Sequence, residues 1–510
     1  MIAVVDFGSQ YTHLITRRIR ELGVSAEIFD HTLDPKKLKN KNVNGIILSG
    51  GPNSVYEKGS PQVDQAIFSL GIPILGICYG LHLIAYKNGG EVKPGRKREY
   101  GEKIITIHKK GKLFAGLENV ETVWFSHGDE VVKLPRGYRI LAATDDCPIA
   151  AFANETANIY AIQFHPEVAH TLKGQKILEN FLFNICRASK DWEIKDIKKH
   201  LIHTLTRLVG KKKVMIGVSG GVDSLVAATL LHSAIGDDLY CVFIDTGLMR
   251  KNEIREVQEL FKSLNFRNFI TVSAENEFLK RLKGIIDPEE KRKVFAKVYF
   301  ETFSNQALKL KKEKQVSFLA QGTIYPDRIE AGKASKMADV IKTHHNLYTP
   351  EKFGLEILEP LSEFYKDEVR KLGIDLGICR ESVYRHPFPG PGLAIRIIGE
   401  VTKDRVDILR DADSIFIDEL KKSGWYDKTW QAFAALLPVK SVGVMGDKRT
   451  YQYIVTLRAV TSLDAMTADW ARLPEDLLNK ISRRITNEIR GINRVLYDIT
   501  QKPPATIEYE

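Results

Sequence analysis

At 510 residues and 57.7 kDa the chain is too long for one ordinary core, and about 100–200 residues per domain predicts roughly three domains. Hydrophobic residues at 44% and charged residues at 27% give the balance of a globular fold and exclude a long disordered or low-complexity tract. The net charge of +11 is dispersed, with 23 Lys+Arg against 19 Asp+Glu before residue 190 and 52 against 45 from there on; the basic runs at 93–98, 211–213 and 309–314 lack interleaved aromatics, so no nucleic-acid partner is expected.

The opening MIAVVDFGSQ lacks the basic start and cleavage site of a secretory signal. No apolar run approaches the roughly 18 residues of a membrane span, so the expectation is a cytoplasmic chain without membrane attachment. A strand at 2–5, a helix at about 11–22, strands at 45–48 and 73–77 and a helix from Tyr79 alternate in a way that predicts a mostly parallel α/β sheet. The strand Pro73-Ile-Leu-Gly-Ile runs straight into Cys78, and Tyr79-Gly80 opens the helix. That is the pattern of a nucleophile elbow, which exposes a side chain and aims backbone N–H groups at it.

A cysteine there needs a base, and the base needs a partner to fix its ring. Gln163-Phe-His165-Pro-Glu167, after a strand at 159–162, supplies both. Gly50-Gly51-Pro52 closes another strand, so the N–H of Gly51, with that of Tyr79, is a candidate oxyanion donor. Taken singly, Cys78 reads better as a buried packing thiol and His165 as a surface histidine; together they point to amide hydrolysis. The five cysteines are scattered and contain no CxxC pair, which indicates neither a disulfide framework nor a zinc cluster.

Near residue 190 the strand signals stop and a charged amphipathic helix runs through Ile197, Leu201 and Leu205 toward Val209, so the first domain is placed at 1–189. Strands at 213–218, 239–244, 268–272 and 316–320, separated by helices, predict a second doubly wound domain at 190–379. Between its first strand and helix lies Ser219-Gly220-Gly221-Val222-Asp223-Ser224, followed by Leu225. Backbone N–H groups and a helix N-terminus converge there on a phosphate-sized space, and no Walker lysine follows. Asp223 is the natural carboxylate for Mg2+, and Asp245, ending the next strand, is a candidate for adenosine or metal.

After Leu361 the segment RHPFPGPGLAIRI carries Pro387, Pro389 and Pro391 and reads as a connecting loop. Helices near 404–422 and 475–490, with strands near 453–460 and 494–500, predict a smaller α+β domain at 380–510. The expected fold class is two doubly wound α/β domains followed by this smaller one.

With these residues in view, LSGGP, GICYG and FHPE, in this order and spacing, resemble the class I glutamine amidotransferases. The resemblance implies that glutamine acylates Cys78, His165 is the base and Glu167 orients it. It also implies that the segment 126–129 holds the amino-acid head of glutamine. The chain departs from that family at His82, where glutamine is usual. The loop 219–224 resembles that of the ATP pyrophosphatases, with Leu225 replacing the usual Ser or Thr.

VVDFGSQY, FIDTGLMR, IKTHHN, RHPFPGPGLAIRI and KPPATIEYE extend the likeness over essentially the whole chain, to the glutamine-hydrolysing GMP synthase family. That likeness implies glutamine, ATP and xanthosine 5′-monophosphate (XMP) as substrates, and amination of XMP through an adenylated intermediate. It implies a lid with Lys342, His344 and His345, near Asp327 and Glu330, whose sequence after Asn346 departs from the family. It implies XMP-binding residues Arg292, Lys502, Ile507 and Glu508, and a homodimer formed by the last domain.

Two other readings compete. Another glutamine-dependent ligase using the same loop is disfavoured by the motifs of the last domain. A non-catalytic nucleotide-binding or nucleic-acid-associated protein is disfavoured by the joint presence of Cys78, His165, Glu167 and Asp223.

Overall fold

The computed structural model describes residues 1–9, 11–327, 354–445, 447–462 and 467–510. Its chain forms two compact units, Met1–Ile197 and Lys198–Glu510, each with its own core.

In the first unit, apolar runs make a parallel core of strands: β1 (Ile2–Asp6), β2 (Ala26–Asp30), β3 (Gly45–Leu48) and β4 (Ile74–Ile77). They are joined in one sheet by β5 (Glu91–Ile107), β6 (Val120–Lys133), β7 (Arg139–Ala143), β8 (Ala151–Asn154) and β9 (Ile159–Ile162). The order is β2-β1-β3-β4-β9-β8-β7-β5-β6. It is parallel through β9 and antiparallel beyond it, so the expected parallel sheet is half of a larger mixed one. β3, β4 and β9 are buried along their whole length, as strands covered on both faces must be. The helices Thr12–Glu21 and Tyr79–Lys87 follow β1 and β4. The second is too uniformly apolar to be amphipathic, and Leu81, Leu83 and Ile84 are fully buried.

In the second unit, β10 (Lys213–Val218), β11 (Leu239–Asp245), β12 (Phe269–Ser273), β13 (Val316–Ala320) and β14 (Glu356–Leu358) form a wholly parallel sheet in the order β12-β11-β10-β13-β14. A second sheet is built on the hairpin β15 (Gln431–Met445) and β16 (Lys448–Thr461), with β17 (Asp469–Trp470) and β18 (Ile492–Tyr497) both pairing with β16.

The helices Lys403–Lys422 and Glu475–Glu488 pack their apolar faces on this second sheet. The segments expected as separate domains, 190–379 and 380–510, share one apolar core. Ile244, Phe278 and Phe295 cluster with Leu393, Leu409 and Leu457. The change of unit falls inside the helix Ile194–Val209 rather than at residue 190.

Candidate functional site

The first site stands where β4 meets the helix Tyr79–Lys87. Cys78 joins them at φ 54°, ψ −104°, a conformation that costs a non-glycine residue on the order of 1–3 kcal/mol and is held only by its surroundings. Those surroundings are close. Cys78 N–H donates to Ile162 O at 2.9 Å and Gly80 N–H to Ser49 O at 3.0 Å. A Cβ at Gly76 would fall 2.5 Å from Gly80 O, and one at Gly80 would fall 2.2 Å from Leu48 O. The motif GICYG is therefore a packing requirement as well as a turn.

His165, 3% exposed, has Nδ1 at 2.7 Å from Glu167 Oε1, and Glu167 is 1% exposed. Burial of the ring works against its charge, but the Glu167 carboxylate and hydrogen bonding with Cys78 and Glu167 outweigh it and hold the imidazole pKa well above its ordinary value. With Nδ1–H donating to the carboxylate, Nε2 is left for the thiol. The backbone is fixed on both sides. His165 N–H donates to Trp124 O at 3.0 Å, Thr171 Oγ1 donates to His165 O at 2.6 Å, and Arg18 Nε donates to Glu167 O at 3.0 Å.

Gly51 packs beneath this turn, where a Cβ would lie 2.9 Å from Phe7 O and 3.3 Å from the Tyr79 ring. Tyr79 is the first helical residue, so its N–H has no intrahelical acceptor and is open to an oxyanion. Cys78 Sγ also approaches Ser126 O at 3.6 Å, which brings the segment 126–129 to the nucleophile. There His127 Nδ1–H donates to Asp129 O at 2.8 Å and Tyr56 OH donates to Asp129 Oδ1 at 2.9 Å. His82 is 3% exposed, with its ring 6.4 Å from that of His127. Burial, aided by the neighbouring His127, pushes its pKa down to about 4, so it is neutral at pH 7.

The second site opens between β10 and the helix Val222–Ile235 as a cavity of about 290 Å³. Ser219 to Asp223 line it. Gly220 takes φ +76°, and the loop is tied internally by Gly221 N–H to Ser219 Oγ at 3.3 Å and Ser224 Oγ–H to Gly221 O at 3.1 Å. Leu225, 2% exposed, belongs to the core, and Asp245 does not line the cavity. The Asp245 carboxylate accepts from Gly247 N–H at 2.9 Å, while its neighbours Ile244 and Thr246 reach the cavity wall.

Three cavity cations lie outside every motif singled out for the phosphates: Lys366, Arg370 and Arg385. Lys366 Nζ is 2.5 Å from Asp223 Oδ2. Arg385 pairs with Glu253 and reaches Gly220 O at 3.4 Å. Only the last lies in a segment the sequence marks, RHPFPGPGLAIRI, whose Pro387 and Pro389 also line the cavity. Lys366 and Arg370 lie on the helix Lys366–Asp375, outside every motif, and carry no such signal. Asp223 Oδ1 is buried without a protein partner among the described residues, and no group of three or more His, Cys, Asp or Glu able to hold a metal occurs there. An oxygen donor left open beside a phosphate loop fits Mg2+ shared with phosphate.

Asp327 Oδ2 accepts from Ile324 N–H at 3.0 Å, next to the segment 328–353. Glu330, Lys342, His344 and His345 lie outside the described residues. Arg292 lies on the helix Pro288–Lys314, one turn before Phe295, a cavity residue. Its Nη2 donates to the backbone O of Glu510. Glu508 is held by Arg396 at 2.8 and 3.0 Å and by Gln431 at 2.7 Å. Ile507 is 7% exposed in an apolar cluster with Phe433 and Val460, and Lys502 pairs with Ala468 through the backbone.

Comparison with known proteins gives three family matches along the chain. The model of "Glutamine amidotransferase class-I" matches residues 3–185, that of "NAD synthase" residues 193–297, and that of "GMP synthase C terminal domain" residues 418–509. A protein named "GMP synthase [glutamine-hydrolyzing]" from Carboxydothermus hydrogenoformans is 53% identical over 510 residues, spanning 100% of this chain and 99% of its own. Proteins of the same name from Aquifex aeolicus and Clostridium novyi are 53% and 50% identical, again over 100% of this chain and 99% of theirs.

Proposed function

The chain belongs to the glutamine-hydrolysing GMP synthase family, and from that premise we propose how its residues divide the reaction. The protein is a ligase that takes ammonia from glutamine and uses ATP to aminate XMP to GMP. The observation that carries the assignment of the first half is the strained Cys78 turn beside the buried His165–Glu167 pair.

In the first site His165 takes the thiol proton as Cys78 attacks the carboxamide carbon of glutamine. The N–H groups of Gly51 and Tyr79 receive the oxyanion, and the His165 imidazolium, favoured by Glu167, gives its proton to the departing ammonia. Water then attacks the thioester, His165 accepting its proton, and glutamate leaves. Asp129 and its neighbours bind the amino-acid head of the substrate.

In the second site the loop 219–224 grips the β,γ-phosphates while the purine O2 of XMP attacks the α-phosphorus and pyrophosphate departs. Ammonia then adds at purine C2 and AMP leaves, so XMP, ATP and ammonia give GMP, AMP and pyrophosphate. Asp223, through its open Oδ1, would hold Mg2+, which supplies charge neutralisation on the phosphates. Lys366 and Arg385 add positive charge to the same space. Lys342, His344 and His345 act in the lid, with Asp327 and Glu330 beside it, and Arg292, Lys502, Ile507 and Glu508 hold XMP. Leu225 contributes through its backbone and Asp245 from behind the cavity wall.

A homodimer through the last sheet is supported by the exposed apolar face of the β15–β16 hairpin, where Val442 and Val444 are 60% and 73% exposed and Tyr451, opposite Val442, is 67% exposed. No helix among the described residues is long and apolar enough to cross a membrane, and a cytoplasmic location is the reading that goes with nucleotide substrates.

The test uses XMP labelled with 18O at the purine 2-position and glutamine as nitrogen donor. One 18O is expected in the phosphate of AMP. Label in pyrophosphate, or ADP in place of AMP, contradicts attack at the α-phosphorus.

A further inference from the structure

Lys291 is 0% exposed on the helix Pro288–Lys314, and a buried ammonium is stable only when all three of its donors are satisfied. It meets this with two backbone carbonyls, Ile397 O at 2.7 Å and Ala394 O at 3.4 Å, and with one carboxylate, that of Glu510. The other Glu510 oxygen accepts from Gly399 N–H at 3.2 Å, and its backbone O accepts from Arg292. Three sequence-distant segments therefore converge on one carboxylate: the helix, the turn 394–399, and the segment 498–510.

The same turn carries Arg396, itself 0% exposed, which clasps Glu508 with two hydrogen bonds. Arg458, 1% exposed, donates to the carbonyls of Thr500, Thr506 and Ile507. Arg396 and Arg458 belong to the sheet region; Lys291, the buried one of the pair Lys291 and Arg292, ties the Glu510 carboxylate to the helix whose next turn, Phe295, lines the ATP cavity, about 6 Å further along its axis.

We propose that the buried Lys291–Glu510 pair is a latch that fixes the segment 498–510 against the ATP cavity and so places Lys502, Ile507 and Glu508 for the nucleotide. Lys291 is a positioning residue: its donors are used by protein acceptors, and it acts through Glu510. Burial holds the Lys291 pKa below its ordinary value, and the Glu510 carboxylate beside it works against that lowering. This inference rests on the assignment of Lys502, Ile507 and Glu508 to XMP.

The experiment compares the full chain with Lys291→Met, Glu510→Gln and the double variant Lys291→Met/Glu510→Leu. Ammonium-driven GMP formation is followed while XMP or Mg-ATP is varied, and amide hydrogen exchange is read over 498–510. Each single variant is expected to lose protection over that segment and to raise the KM for XMP roughly tenfold or more, the scale of one charge-assisted hydrogen bond, with the KM for ATP and glutaminase activity little changed. The double variant, which leaves no buried charge unpaired, is expected to recover part of both losses. Unchanged exchange in both single variants overturns the latch. Lost protection with an unchanged KM for XMP overturns instead the nucleotide role of the segment, and with it the purpose given to the latch.

Discussion

Glu167 illustrates how much of the chemistry rests on single atoms. Its carboxylate, 2.7 Å from His165 Nδ1, both selects the tautomer and sustains the imidazolium. Glu167→Gln keeps the shape and removes the charge, so glutaminase activity is expected to fall by about 10²- to 10⁴-fold, the range of a positioned acid–base group. Ammonium-driven GMP formation should stay near wild type; an equal loss in both assays would show that the substitution acts through folding. His82 is different in kind. Its position was visible as a departure from the family pattern, but its burial was not, because a histidine on an apolar helix face gives no sign of how deeply it sits.

With a folded pKa of about 4 against 6.5 when unfolded, His82 stays neutral while the unfolded chain takes up a proton. Its contribution to stability is present above pH 6.5 and is lost as pH falls toward 4, at about 1.4 kcal/mol per pH unit. His386, also lowered to about 4 by burial in the second unit, acts in the same direction. His82→Gln should therefore reduce the acid destabilisation between pH 7 and pH 5 by about 2 kcal/mol, measured as the shift in the urea midpoint of the first unit. An identical shift in both proteins would show that His82 is protonated in the folded state.

At the scale of elements, the turns around each site were the most legible part, because each depends on local chemistry. GICYG and SGGVDS both announce a strand, a tight turn and a helix, and both turns are present. Gly80 shows why substitution there is costly even though its backbone conformation is ordinary. Alanine favours a helix by about 1 kcal/mol over glycine, but its Cβ would sit 2.2 Å from Leu48 O, so β3 and the helix must separate. Gly80→Ala is expected to destabilise the first unit by about 1–3 kcal/mol and to displace Cys78, abolishing glutaminase before ammonium-driven synthesis. Thermal unfolding with both activity assays checks it.

The long hairpins were not legible. β5 contains Pro94, Gly95 and a dense run of charges before any apolar alternation begins at Ile104, and its pairing with β6 is interrupted by an irregularity after Pro94. Neither propensity nor period marks such a strand; its partner does. In the hairpin β15–β16 the strand expected near 453–460 is the core half of β16, whereas β15 and the outer half, which projects beyond the core and is not patterned by burial, were not legible.

At the scale of the whole molecule, the order of chemistries along the chain was legible and the packing was not. Alternating strands and helices announced two α/β sheets, but no local pattern reveals that Leu393, Leu409 and Leu457 would share a core with Phe278 and Phe295. The phosphate-side cations Lys366 and Arg370 were missed for the same reason: they reach the cavity through tertiary folding. What the two units hold in common is one reaction, in which the first makes ammonia and the second consumes it. The direct measurement of that division is GMP formation by Cys78→Ala with either glutamine or ammonium as nitrogen source. The account predicts that the variant makes GMP from ammonium at close to the wild-type rate and none above background from glutamine. Loss of the ammonium-driven reaction, or persistence of the glutamine-driven one, would contradict it.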